Sequence, residues 1–283
     1  MPIFTTYDGT ELSYRIAGEG EPLVCLPGGA MRAAEYLGDL GGLAATRQLV
    51  LLDLRGTGDS AVPADESSYR VDRQVEDVEA LRSHLGLERM DLLAHSAGGG
   101  LALLYAAAHP GRLRRLVLVT PNAAAAGLPA TAEDRLAAAR LRAGTDPYDA
   151  AIAAYARILA GEDEDDALWD LALPLFYGRW DEIARAHAAA SDRQQNEKAA
   201  AAYAGPGAFD PAATRAALRA VTAEVLVLAG GYDGNPSPER AARIAGLFRY
   251  GIPDAQPSAG HFPWLDDPDW FSARVERFLA EAA

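Results

Sequence analysis

Five short, largely apolar runs, at residues 23–26, 49–54, 90–94, 113–120 and 225–229, set the tightest limit on how this chain can fold. A strand with one wet face alternates apolar and polar side chains, whereas a strand covered on both faces is apolar at consecutive positions. Segments with helical spacing lie between these runs at 33–45, 71–85 and 97–108, and a last helix is expected over 267–282. The alternation predicts a mostly parallel central sheet flanked by helices, an α/β fold. Ahead of it, residues 3–7 and 11–17 flank Asp8-Gly9, a dipeptide suited to the positive φ of a tight turn. The chain is therefore expected to open with an antiparallel hairpin.

One interval breaks the alternation. Residues 122–222 hold no strand-like run, only Ala/Arg/Asp/Glu-rich segments with helical spacing, punctuated by Pro129, Pro147, Pro174, Pro206 and Pro211. The interval leaves the sheet just after Thr120, and ligands of open α/β sheets sit at the carboxyl ends of strands. The expected organisation is a core of residues 1–121 and 223–283, with a helical cap inserted at 122–222 over the site.

The stretch Met90-Asp91-Leu92-Leu93-Ala94-His95-Ser96-Ala97-Gly98-Gly99-Gly100 runs from a buried strand straight into an alanine-rich helix. A serine at such a corner projects its hydroxyl from the top of the sheet, and small residues are needed two positions to either side, filled here by Ala94 and Gly98. Taken alone, the stretch fits either a helix-capping serine or a nucleophile. It resembles the nucleophile elbow of the α/β-hydrolase superfamily, with Ala94 in place of the first glycine of G-x-S-x-G. That resemblance implies an α/β-hydrolase fold and a catalytic order of Ser, then Asp or Glu, then His.

Two later stretches match that order. Asp233 follows the run at 225–229 through a glycine turn, and Ser258-Ala259-Gly260-His261-Phe262-Pro263 places His261 in a loop before the last helix, similar to the histidine loop of many superfamily members. The resemblance thus implies a triad of Ser96, His261 and Asp233. It also implies an oxyanion hole built from the amides of Ala97 and, after the first parallel strand, Gly29 in Leu26-Pro27-Gly28-Gly29-Ala30-Met31, where Pro27 replaces the histidine of many relatives. Asp53-Leu54-Arg55-Gly56-Thr57-Gly58-Asp59-Ser60 resembles a loop common in the superfamily. It satisfies neither the Rossmann nor the P-loop pattern and is expected to be a structural turn bordering the site. Met31, Trp180 and His187 are candidate substrate contacts, while for Trp169, Phe176, Tyr177 and Trp180 packing is the default role of aromatics at helical spacing. The same fold expects a last strand near 249–257, but Gly251, Pro253 and Pro257 suit a ladder poorly, so a very short or irregular strand is expected.

The function implied is hydrolysis of a small carboxylic ester or related acyl substrate through an acyl-enzyme, without metal or cofactor. Two alternatives stand beside it: a prolyl iminopeptidase-like aminopeptidase, for which the acidic run at 162–166 is a candidate amine site, and a non-catalytic receptor on the same scaffold. The serine at the elbow argues against dehalogenase and epoxide-hydrolase chemistry, which use aspartate there. With 40 acidic against 26 basic residues the formal net charge is −14, and Lys198 is the lone lysine, so nucleic acid is an unexpected partner. The single cysteine, Cys25, excludes an internal disulfide. The N-terminus lacks the pattern of a signal peptide and no run is long enough to span a bilayer, so a cytoplasmic protein acting on a small molecule, away from membranes, is expected.

Overall fold

The computed structural model describes residues 1–162 and 166–280. Eight strands form one sheet in the order β1-β2-β4-β3-β5-β6-β7-β8. They are β1 (Ile3–Thr5), β2 (Glu11–Ala17), β3 (Pro22–Leu26), β4 (Gln48–Leu52), β5 (Met90–His95), β6 (Leu113–Val119), β7 (Glu224–Gly230) and β8 (Gly251–Gln256). The opening hairpin pairs antiparallel, and β2 joins β4 antiparallel; every later pairing is parallel. The chain thus has the mostly parallel sheet that the consecutive apolar runs imply, with the antiparallel hairpin at one edge.

Consecutive residues of the central strands feed two separate cores. Val24, Val50, Leu92, Leu116 and Val225 point into one, with helices α1 (Val75–His84) and α2 (Ala97–Ala108) above them. Leu23, Cys25, Leu49, Leu93, Val117 and Leu226 point into the other, against Phe271, Val275 and Phe278 of the C-terminal helix Pro268–Ala280. Strand side chains alternate between faces, so apolar residues are needed at every position once both faces are covered. The last strand is a full six residues, longer than its prolines suggest. As an edge strand it pairs only with β7, and Pro253 is exposed there, where a missing N–H leaves no ladder bond unmade.

Other expectations at 33–45 and 71–85 need correction. The first segment forms only two 3-10 turns, Ala34–Leu37 and Leu43–Ala45, because Gly38, Leu40, Gly41 and Gly42 all take positive φ between them. The second begins with short turns and becomes α-helical only at Val75. Residues 281–282 of the expected last helix lie outside the described residues. Between β6 and β7 the described residues form helices, from Ala132–Arg140 to Pro211–Leu218, with one isolated bridge from Gln195 to Arg32. No helix among the described residues is long and apolar enough to cross a membrane.

The loop after β4 is a polar clamp. Arg55 is fully buried and bonds both oxygens of buried Asp77, at 2.8 and 2.5 Å, as well as Asp8 and Ser68, each at 2.7 Å. A planar guanidinium fits this set where a lysine would not. Removing one partner strands the rest: Arg55→Met leaves a buried carboxylate unpaired and is expected to cost about 3–5 kcal/mol. Adding Asp77→Leu to that variant is expected to recover part of the loss. Urea unfolding of the two variants checks this, and equal destabilisation by single and double variants would refute it.

Candidate active site

Ser96 stands where β5 ends and α2 begins, with φ 52° and ψ −119°. A non-glycine residue is held in that region only by its surroundings, and these are tight. The turn formed by Pro27, Gly28 and Gly29 passes so close that a Cβ on Gly28 would stand 2.8 Å from the Ser96 Cβ, and one on Gly98 would stand 2.4 Å from the Pro27 carbonyl oxygen. The Ser96 side chain makes no capping bond to α2. Its Oγ instead lies 2.8 Å from His261 Nε2.

His261 Nδ1 lies 2.7 Å from Asp233 Oδ2, and the other Asp233 oxygen accepts the Asn235 amide at 2.8 Å. An ionised carboxylate only accepts, so Nδ1 carries the proton and Nε2 is left to accept the Ser96 hydroxyl. The backbone of His261 is fixed as firmly as its ring. Its N–H donates to the Phe176 carbonyl at 2.7 Å, and its own carbonyl accepts from Thr120 Oγ1 at 3.0 Å and His95 Nε2 at 2.9 Å. His95 must therefore hold its proton on Nε2, and its Nδ1 accepts from the Tyr36 hydroxyl at 2.7 Å. The Tyr36 oxygen in turn accepts the Gly28 amide at 2.6 Å. A chain of hydrogen bonds thus joins the turn beside Ser96 to the histidine loop. Burial pushes His95 well below the usual imidazole range and raises the Tyr36 phenol, so both remain neutral links.

The amide of Ala97, at the positive end of α2, is spent on no turn or cap bond, and Gly29 lines the cavity in front of Ser96. That cavity has a volume of about 390 Å³. Ser96, His261 and Phe262 bound it from the core loops; Trp169, Leu173, Phe176 and Tyr177 bound it from the 122–222 segment. A larger cleft of about 660 Å³ lies elsewhere, lined by Arg215, Arg219 and Arg249, and contains no nucleophile, so chemistry rather than size selects the smaller one. Among the described residues no group of three or more His, Cys, Asp or Glu side chains is placed to hold a metal ion.

Met31, Trp180 and His187 do not line the cavity. Met31 is fully buried with its sulfur 3.4 Å from Gln74 Nε2. Trp180 packs on Tyr177, ring centres 5.4 Å apart, and faces an adjoining cleft. His187 turns inward, with Nδ1 2.8 Å from the Tyr177 hydroxyl and its ring 4.6 Å from Phe262. Tyr36, by contrast, reaches the wall from a segment whose spacing reads as an ordinary helix, and Arg32 reaches it from just ahead of that segment. Asn235 and Phe262 also line it, and adjacency to Asp233 and His261 was the signal that could have found them. In the acidic run, residues 163–165 lie outside the described residues; Glu162 pairs with Arg157 at 2.7 Å.

Burial, reinforced by the Arg32 charge, lowers His187 from 6.5 to about 4. The unfolded chain therefore takes up this proton first as pH falls, so the group's contribution to stability is fully present above about pH 6.5 and is lost between there and pH 4. Between pH 7.5 and 5 the wild type is expected to lose more stability than His187→Gln, by up to about 1.4 kcal/mol per pH unit below 6.5. Urea midpoints of both proteins at the two pH values check this; parallel pH profiles would refute it.

A family model described as the alpha/beta hydrolase fold matches residues 21–268. A 2-hydroxymuconate semialdehyde hydrolase from Pseudomonas putida is 31% identical over 245 residues, covering 84% of this chain and 78% of that protein. A proline iminopeptidase from Lactobacillus helveticus (strain DPC 4571) is 39% identical over 117 residues, but the match spans 39% of this chain and only 40% of that relative's length. The crystal structure of an esterase from Rhodococcus sp. ECU1013 superposes with a TM-score of 0.71 at 26% identity, covering 100% of this chain and 99% of that one. With the sheet order and the corner at Ser96 already in place, these matches establish that the chain belongs to the α/β-hydrolase family.

Proposed function

We propose that the protein cleaves a small carboxylic ester, or a related acyl substrate, by a Ser96–His261–Asp233 triad beneath a cap formed by residues 122–222. The observation that carries this reading is the unbroken hydrogen-bond chain from Ser96 Oγ to His261 at 2.8 Å and on to Asp233 at 2.7 Å. Ser96 Oγ attacks the carbonyl carbon while its proton passes to His261 Nε2, and Asp233 stabilises the imidazolium. The amides of Ala97 and Gly29 receive the oxyanion. As the tetrahedral intermediate collapses, the bond to the leaving oxygen breaks and His261 returns its proton to the departing alcohol. Water, deprotonated by the same imidazole, then releases the acid and restores Ser96. None of these steps requires a metal or organic cofactor.

The charge of the wall favours an ester over a free-amine substrate. Among the described residues lining the cavity there is no Asp or Glu, and Arg32 supplies a fixed positive charge. An aminopeptidase needs the reverse. A second reading keeps one observation in its favour: the adjoining cleft is lined by Asp166, Asp170, Asp192 and Glu197 and shares Trp169, Leu173, Ala188 and Ser191 with the cavity. An amine could rest there if the substrate spans both spaces, an arrangement suited to an iminopeptidase such as the Lactobacillus relative.

Wild type is expected to hydrolyse 4-nitrophenyl butyrate and to leave prolyl-4-nitroanilide intact. Ser96→Ala and His261→Ala are each expected to lower ester turnover by several orders of magnitude, up to about 10⁶-fold, while both variants remain folded. Ester turnover that survives in Ser96→Ala would refute the mechanism. Anilide turnover abolished by Ser96→Ala would transfer the assignment to the aminopeptidase reading.

A further inference from the structure

Arg32 is buried in the cavity wall, 5% exposed, and among the described residues no carboxylate stands within ion-pair distance of it, although the charge of Glu35 acts on it through Gln194. Its Nε donates to Gln194 Oε1 at 2.8 Å and its Nη2 to the His187 carbonyl at 3.1 Å, while the guanidinium lies 4.4 Å over the Tyr36 ring. All three partners are neutral. Its neighbour in sequence, Glu35, is engaged elsewhere, with Arg193 at 2.9 Å, Arg15 at 3.9 Å and the Gln194 amide at 2.5 Å. Nη1 has no hydrogen-bond partner among the described residues and is not sealed in the core.

Two other buried arginines show what this chain does with such a group when its role is structural. Arg55 is surrounded by carboxylates. Arg142 spends both Nη atoms on the carbonyls of Pro174, Leu175 and Tyr177. Arg32 follows neither pattern: one face is held by neutral groups, and the remaining nitrogen is left for the cavity. A guanidinium stays charged at any physiological pH, and holding it out of water without an anion is costly. The net charge of −14 does not remove that local field, because screening confines distant charges to about 10 Å at ordinary ionic strength.

We propose that the substrate carries a carboxylate as well as its scissile acyl bond, and that Arg32 Nη1 receives the carboxylate inside the cavity. This rests on the hydrolase reading of Ser96 and narrows it to acidic esters small enough for about 390 Å³. Arg32 is thereby a specificity-determining residue: it holds a group remote from the reacting carbonyl and fixes where that carbonyl sits relative to Ser96.

The test compares mono-4-nitrophenyl adipate with 4-nitrophenyl heptanoate, a chain of similar length without the charge. Wild type is expected to favour the adipate in kcat/KM by about tenfold or more, the scale of a hydrogen bond to a charged group. The ratio is expected to fall at least about tenfold in Arg32→Met and to recover in part in Arg32→Lys. A wild-type ratio of one or less, or a ratio unmoved by Arg32→Met, would overturn the proposal. If Arg32→Met does not fold, the wild-type ratio and Arg32→Lys decide. A second arm needs no turnover: in Ser96→Ala, monomethyl adipate is expected to bind about tenfold tighter than dimethyl adipate by calorimetry, and equal affinities would refute the carboxylate site. If neither 4-nitrophenyl ester is cleaved, the hydrolase reading fails while this arm still tests Arg32. If both are cleaved equally well, that reading stands and the carboxylate preference falls.

Discussion

The close approach of Gly28 to the corner at Ser96 governs the rest of the site. Adjacent parallel strands β3 and β5 pair Leu26 with Ala94, so their C-terminal ends finish at the same height and their loops meet. Gly28 and Gly98 lack the Cβ atoms that would drive those loops apart. With the gap closed, three things coincide in one small volume: the positive φ of Ser96, the free amide of Ala97 and the turn that carries Gly29. A parallel sheet supplies this meeting point because all its strands end on one side, where helix N-termini also gather.

From that corner, polar order spreads through neutral groups. Gly28, Tyr36, His95 and the His261 carbonyl form one hydrogen-bonded series in which each member has its donor or acceptor role dictated by the next. The series is buried and has no ionised member, so it holds geometry without adding charge next to the triad. Fixed charges lie further out. Arg55 with Asp77 and Asp8 anchors the loop after β4, and among the described residues that line the cavity Arg32 is the one arginine or lysine. Carboxylate density sits in the adjoining cleft instead. An anionic substrate would thus meet repulsion at the mouth and attraction within, which favours a carboxylate deep in the cavity over one that stays near the rim.

The sheet was legible in the sequence because burial on both faces calls for consecutive apolar residues in short runs, here too short for helices and separated by segments of helical spacing. Ser96, Asp233 and His261 were legible through the resemblance: the corner at Ser96 alone fits a helix cap equally well, and Asp233 and His261 enter by the superfamily's catalytic order, each in a stretch that glycines mark. The wall of the cavity was not. Tyr36 lies in a segment with helical spacing whose glycines break it into turns, and Arg32 stands just ahead of it at an isolated bridge to Gln195, so periodicity reports the direction of neither side chain. His95 lines the cavity beside Ser96, and its ring reaches the histidine loop by bonding the His261 carbonyl. Met31 and His187 looked like contacts because of where they fall in sequence. Packing against Gln74 and Phe262 places them behind the wall. Periodicity encodes which face of an element is buried, whereas a cavity lining depends on which loops meet.

The hold on His261 also constrains how a ligand can enter. Its carbonyl is tied to the core by Thr120 and His95, and its N–H to Phe176 in the 122–222 segment. The same two parts are joined again at Asp266, whose carboxylate accepts the amides of Gly178 at 2.8 Å and Gly260 at 2.7 Å. Side chains leave no slack there: a Cβ on Gly178 would stand 2.1 Å from the Ser258 carbonyl oxygen, and one on Gly260 would stand 2.6 Å from that of Phe176. Lifting residues 173–178 as a lid would therefore break the bonds that position the histidine. On the opposite side, Trp169, Ala188 and Ser191 border both the cavity and the adjoining cleft, and Ala188 belongs to a cluster packed against Phe262.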